Sequence, residues 1–346
     1  MGRSEAGGLP RVPAPSLVNL ESTLGCNLEC IMCGPHLSGV TKKRRVMPDA
    51  LIQRIREQAL MGAQDVSLTV AGEPLMTPKL STFLDLAEQA GAELQLNSNA
   101  TLIKDDATIR RILRGASVLK ISVDSPVRET YESIRVASDY DRVVANIRQL
   151  VRIRRELPRG ERPRLAICMV LMRRNIEELV QMVDLVHDLG VDRLELAHLT
   201  VFDEALDSES LRHYPELCDR SLRAARDRSD ELGLRLHMPP SMSGHTLTPS
   251  RSARARLALG ELRGLTRRRL RRRLHRVIER ARAAAWSRRA GGQVPCHFLQ
   301  HGVFISIGGD VAPCPMPGRP VAGNLLEEDF ESIWNGPVLT RLRRGR

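Results

Sequence analysis

Leu17-Val-Asn-Leu-Glu-Ser-Thr-Leu-Gly-Cys26-Asn-Leu-Glu-Cys30-Ile-Met-Cys33 is the stretch on which the reading of the chain turns. Residues 17–23 carry the apolar and β-branched run of a strand, and three cysteines follow within eight residues. A loop that leaves a strand in this way lies at the carboxyl edge of a sheet, where α/β proteins place their ligands. Three clustered thiolates suit a metal, and soft sulfur donors select zinc or iron–sulfur. A closed zinc site needs a fourth ligand, for which His36 is nearby in the sequence. A four-iron cluster on three cysteines instead leaves one iron open to a small molecule.

Working outward, strand patterns recur at 65–71, 92–98, 117–124, 164–171 and 192–199, with helical periodicity near 48–61, 79–90, 105–114, 139–156 and 175–189. Met47-Pro48-Asp49 opens the first helix, while Gly62, Gly91, Gly115 and Gly190 read as helix ends. Crossovers of this length imply a parallel sheet. The expected fold class is α/β, a partial (β/α)6 barrel with a small C-terminal α+β module; a doubly wound open sheet is the alternative. After residue 200 the alternation is expected to stop, with a helix over 208–232, a Pro/Ser/Gly-rich linker over 238–250 and an Arg-rich helical segment. From Gln293 the chain reads as a small hairpin around Gly308-Gly309, then a terminal helix over 327–343. The expected boundaries are an extension 1–15, a core 16–237, a linker and Arg-rich segment 238–292 and a module 293–346.

With Cys26, Cys30 and Cys33 in a loop after the first strand, the chain resembles the radical S-adenosylmethionine (SAM) superfamily. Further segments carry the likeness over roughly residues 16–345. Gly72-Glu73-Pro74 looks like the family's segment that receives the SAM amino group. Asn97-Ser98-Asn99 is similar to the segment near the ribose. Ser122 and Asp124 match its Ser-x-Asp strand end, Arg135 resembles the basic partner of the SAM carboxylate, and Met32 occupies the apolar position against adenine. The resemblance implies SAM and a 4Fe–4S cluster as cofactors. The reduced cluster then cleaves SAM to a 5′-deoxyadenosyl radical that takes hydrogen from an unactivated carbon.

Cys296, Gly309 and Cys314, with Gly323-Asn324-Leu325 and the helix around Trp334, look like a SPASM or shorter twitch module. That likeness implies an auxiliary iron–sulfur cluster on Cys296 and Cys314, although no cysteine follows Cys314 to complete a set of four. The two remaining cysteines read either as small buried hydrophobes or, as in epimerases of this class, as hydrogen-atom donors: Cys168 in the fifth strand and Cys218 on an apolar helix face.

Charge separates the remaining possibilities. The net charge is +12, yet residues 251–290 hold fifteen arginines against Glu261 and Glu279, which leaves about −1 for everything else. Only Trp286 interleaves those arginines, so a nucleic-acid platform, which stacks bases on aromatics, is not expected. The segment instead reads as a solvated face or as a docking surface for an acidic partner such as a flavodoxin or ferredoxin reductant. An odd count of seven cysteines, no secretory signal and no membrane-spanning apolar run point to a reducing cytoplasm. The substrate is expected to be a small polar natural-product precursor, dehydrogenated or epimerised. A ribosomally made peptide is the alternative, and about sixteen residues before the first strand leave no room for a recognition domain there. An RNA-binding protein or a structural zinc protein are the readings of another class.

Overall fold

Val18 and Leu20 on β1 (Leu17–Leu20) are fully buried, and the same alternation runs through the strands that follow it. The computed structural model describes residues 12–68, 71–103, 105–244, 296–316 and 318–343. The Arg-rich segment 251–290 lies outside them.

After β1 the chain forms α1 (Gly34–Leu37), α2 (Asp49–Arg54), β2 (Asp65–Ser67), α3 (Leu80–Gln89), β3 (Glu93–Ser98), α4 (Asp106–Gly115), β4 (Val118–Ser122), α5 (Arg128–Ile134) and α6 (Tyr140–Glu156). It continues with β5 (Arg164–Leu171), α7 (Leu179–Asp188), β6 (Arg193–His198), α8 (Pro215–Leu232) and β7 (Arg235–His237). The C-terminal part holds α9 (His297–His301), β8 (Gly302–Ile305), β9 (Asp310–Ala312), β10 (Gly323–Asn324), α10 (Phe330–Trp334) and α11 (Pro337–Arg343). The strands make one sheet in the order β10-β9-β8-β1-β2-β3-β4-β5-β6-β7, parallel from β8 through β7. Among the described residues β1 pairs with β8 rather than with the far edge, so the barrel stays open.

Aspartates start two of the helices: Asp105 accepts from Thr108 N at 2.7 Å and Asp139 from Arg142 N at 3.0 Å, satisfying amides that a helix start leaves free. Leu119, Ile121, Ile167, Met169, Leu194 and Leu196 on the central strands join one core with Ile112, Ile147, Leu150, Met182 and Val183 of the helices. The intervening residues Asn97, Lys120, Ser122, Cys168, Glu195 and His237 stand on the opposite face, all at least partly open to solvent.

Several sequence expectations are corrected. The alternation does not stop at residue 200: α8 and β7 add one more unit, with β7 parallel to β6. Helix α8 begins at Pro215 instead of residue 208, because proline at a first helical position sets the start, and two 3-10 turns fill 204–213. The helix read over 48–61 changes from α to π geometry at Ile55. The terminal helix is two, separated by Asn335-Gly336, with Pro337 opening the second. Gly115 is the last residue of α4, and a Cβ there would lie 2.9 Å from Leu84. The hairpin forms as read, β8 antiparallel to β9, and β8 also extends the core sheet. Among the described residues no helix is long and apolar enough to cross a membrane.

Candidate active site

The cysteine loop leaves β1 at the carboxyl edge of the sheet and is fastened on both sides. On one side Glu29 N donates to Val136 O and Ile31 N to Ile134 O, each at 3.0 Å, tying the loop to the end of α5. On the other side Glu73 N donates to Gly25 O at 2.7 Å, tying its start to the turn after β2. Gly72 makes that approach feasible. Its φ is +72°, and a Cβ would stand 2.6 Å from Thr23 O and 2.7 Å from Gly25 O.

Glu73 is buried, and its carboxylate is fully occupied. Oε1 accepts from Ser98 Oγ at 2.7 Å and Leu75 N at 3.1 Å, and Oε2 from Asn99 N at 2.8 Å. Burial raises its pKa against these bonds. Asn99 Nδ2 donates to Asn27 Oδ1 at 3.0 Å, and Asn27 Nδ2 to Thr101 Oγ1 at 2.8 Å. Ser122 Oγ donates to Asn97 Oδ1 at 3.2 Å. The segments read separately from the sequence, 26–33, 72–74, 97–99 and 122–124, thus meet at the ends of β1 to β4.

Arg135 is no surface arginine; it is only 8% exposed at the end of α5. Its Nε lies 2.7 Å from Oδ2 of Asp124, which is wholly buried, and its Nη1 is 3.7 Å from Cys30 Sγ. Asp124 also accepts from Val170 N at 2.7 Å, while its backbone carbonyl accepts from Asn175 Nδ2 at 2.8 Å. Asp124 therefore aims Arg135. Met32 packs with Leu28, Cys30, Ile134 and Met172 beneath the loop.

Cys30 is buried, and Cys26 and Cys33 are partly exposed. Burial raises all three thiols, Cys30 against the pull of Arg135. Among the described residues no three His, Cys, Asp or Glu side chains converge on a single ion. The three thiols also raise one another, Cys33 acting on Cys26, Cys26 on Cys30 and Cys30 on Cys33, and three thiolates gathered on one loop can each take one iron of a four-iron cluster. The donor set fits the cluster.

Cys168 lies on β5 with its Sγ donating to Glu195 Oε2 at 3.8 Å. Burial, and then the Glu195 charge, push its thiol up to about 12. Glu195 is bracketed by Lys120 Nζ at 2.8 Å and Arg193 Nη2 at 2.5 Å. Sequence reasoning missed Lys120, Arg193 and Glu195. Their signal was present, since ionic residues at alternate positions are unusual in parallel strands, which otherwise read as apolar runs. Cys218 is fully buried on α8 in the main core and is not brought to this group. In the C-terminal part Cys296 is exposed just before α9, and Cys314 is partly exposed after β9.

The chain matches the radical SAM superfamily over residues 20–186 and the SPASM family, an iron–sulfur cluster-binding domain, over residues 296–346. The chain belongs to the radical SAM superfamily. It carries a C-terminal SPASM module, and the family implies SAM and a 4Fe–4S cluster, with auxiliary iron–sulfur in the module. Within residues 296–346 the module's cysteines are Cys296 and Cys314.

The AdoMet-dependent heme synthase of Methanosarcina barkeri is 24% identical to this radical SAM chain over 333 residues, covering 95% of it and 85% of the synthase. The probable GTP 3′,8-cyclase of Saccharolobus islandicus is 28% identical over 176 residues, 50% of this chain and 54% of the cyclase. The chain thus spans about half of that relative. Among solved structures, Streptococcus suis SuiB bound to S-adenosylmethionine superposes with a TM-score of 0.65 at 16% identity, covering 96% of this chain and 68% of SuiB. The enzyme anSMEcpe with bound AdoMet gives 0.63 at 15% identity, covering 95% and 82%. These likenesses establish the fold.

Proposed function

We propose that this radical SAM enzyme abstracts hydrogen from a small polar substrate held on the open face of β4 to β6, and that Cys168 returns a hydrogen atom, giving net epimerisation. Cys26, Cys30 and Cys33 would hold the cluster, which with SAM bound beside it would supply a 5′-deoxyadenosyl radical. The turn 72–74, residues 97–99, Ser122 and Arg135 would hold SAM against that cluster, with Arg135 taking the carboxylate and Met32 the adenine.

The observation that carries the reading is the Lys120–Glu195–Arg193 group beside Cys168 on the face turned away from the helices. An ammonium and a guanidinium around one carboxylate leave a net positive charge, which suits a polar substrate with an acidic group. A hydrogen-atom donor must also keep its proton, and a thiol pushed up to about 12 stays S–H at neutral pH. In the step the S–H bond breaks homolytically and a C–H bond forms at the substrate radical. The resulting sulfur radical is restored by one electron and one proton from an external reductant.

A peptide is the second reading, favoured because SuiB has been solved with its precursor peptide SuiA and anSMEcpe with a peptide. Candidate small molecules and peptides would be incubated anaerobically with SAM and dithionite in deuterated water. Wild type should place solvent deuterium at one product carbon, and Cys168→Ala should still release 5′-deoxyadenosine but form no epimer. A product lighter by two hydrogens, with Cys168→Ala unimpaired, would replace epimerisation by dehydrogenation.

A further inference from the structure

Lys42-Lys43-Arg44-Arg45 is a run of four exposed cations directly after the cysteine loop, in a chain whose charge outside 251–290 is close to neutral. Its backbone is bolted to the start of that loop. Arg45 O accepts from Leu24 N at 3.0 Å and from Thr23 Oγ1 at 3.1 Å, and Val46 bridges Thr23. At Gly25 the Cβ direction meets Arg44 Cα at 3.4 Å. With one further peptide step, Arg44 Cα lies within about 9 Å of Cys26 Cα. Arg45 has the Glu21 carboxylate as a charge partner. Among the described residues Lys42, Lys43 and Arg44 make no ion pair.

Two exposed apolar side chains stand on the other flank of the same loop. Leu37 ends α1, which starts directly after Cys33, and the Phe202 ring packs on Gly34, about 3.0 Å from where a Cβ would be. Cationic residues and a small apolar patch thus border the ends of one loop. Brief redox encounters are made through such surfaces, small in area and steered by charge.

We infer that the cationic run 42–45, beside the start of the cysteine loop, is the docking surface for an acidic one-electron carrier protein. The inference rests on the cluster being held by Cys26, Cys30 and Cys33. One electron leaves the reduced carrier and enters the cluster; no bond to the carrier forms. Electron tunnelling falls steeply with distance, so a carrier steered to residues 42–45 is placed where transfer is fast, beside the loop that bears the ligands. The Arg-rich segment 251–290 is the rival location.

The test uses reconstituted full-length enzyme and a flavodoxin as probe. Affinity for oxidised flavodoxin is measured by fluorescence at low and high salt, and 5′-deoxyadenosine formation is followed with flavodoxin hydroquinone and, separately, with dithionite. Lys42→Glu/Lys43→Glu should weaken low-salt affinity about tenfold or more and slow flavodoxin-driven turnover, while dithionite-driven turnover stays unchanged. Arg267→Glu/Arg268→Glu/Arg271→Glu/Arg272→Glu should leave affinity as in wild type. Unchanged affinity in the first variant overturns the proposal, as does a loss confined to the second. Equal loss with both reductants overturns it too, since the residues would then be supporting the loop. Failure of the cluster assignment is a different result: wild type would not cleave SAM with dithionite, whatever its affinity for flavodoxin.

Discussion

Arg135 shows how a single residue is made dependable. Its guanidinium is buried against a carboxylate that has no exposure of its own, and that carboxylate is held by the backbone of β5. Removing one member of such a pair strands the other, a loss of about 3–5 kcal/mol. Arg135→Ala should therefore lower stability by that amount in urea unfolding. Asp124→Asn/Arg135→Ala should cost clearly less than the two single changes added together. A loss below about 1 kcal/mol, or strict additivity, would mean that the pair does not hold the site. The identity of Arg135 was legible in the sequence from its motif, but its role was only half so. Asp124 was legible as the end of a Ser-x-Asp strand but not as the partner of Arg135, because sequence shows which residues end a strand, and not which of them face one another. Lys120 and Glu195 went unread for the same reason: their pairing spans two strands separated by the whole β5 unit.

At the scale of elements, the site is a set of turns fastened to one another, and Gly72 is the point of closest approach. Strand and helix positions were largely legible, because β-branched runs and helical periodicity report burial directly. The segment 164–171 appears as β5 with the bounds read from sequence. β7 was not legible, since its three residues offer a single apolar position, Leu236, between Arg235 and His237. Gly72→Ala adds a methyl group where two backbone carbonyls already stand, at a positive φ. It should cost about 1–3 kcal/mol in backbone strain, and more as the cysteine loop is pushed away, so that iron uptake on reconstitution also falls. Gly39 has nearly the same φ, +70°, and nothing within 4 Å of a Cβ, so Gly39→Ala carries the strain alone. Equal losses in the two variants, with normal iron in both, would refute the close-approach account.

For the whole molecule, the sheet unites what the sequence divides. β8 comes almost three hundred residues after β1 and pairs with it from Leu17↔Gly302 to Leu20↔Ile305. Composition and spacing announced a separate C-terminal part, and a long-range parallel pairing leaves no local trace by which to foresee the join. Trp334 Nε1 donates to Pro13 O and Val12 N to Asn335 Oδ1, which draws the start of the described chain onto the same end of the fold. The consequence is one continuous sheet with the cysteine loop rising from its middle, flanked by the module on one side and by the polar face of β4 to β6 on the other. The central claim is that this loop carries the SAM-cleaving cluster. Anaerobically reconstituted wild type and the Cys26→Ala/Cys30→Ala/Cys33→Ala variant, each given SAM and dithionite, test it most directly through 5′-deoxyadenosine release and bound iron. Wild type should release 5′-deoxyadenosine, and the variant should release none and hold about four fewer irons per chain; release by the variant at the wild-type rate would contradict the account.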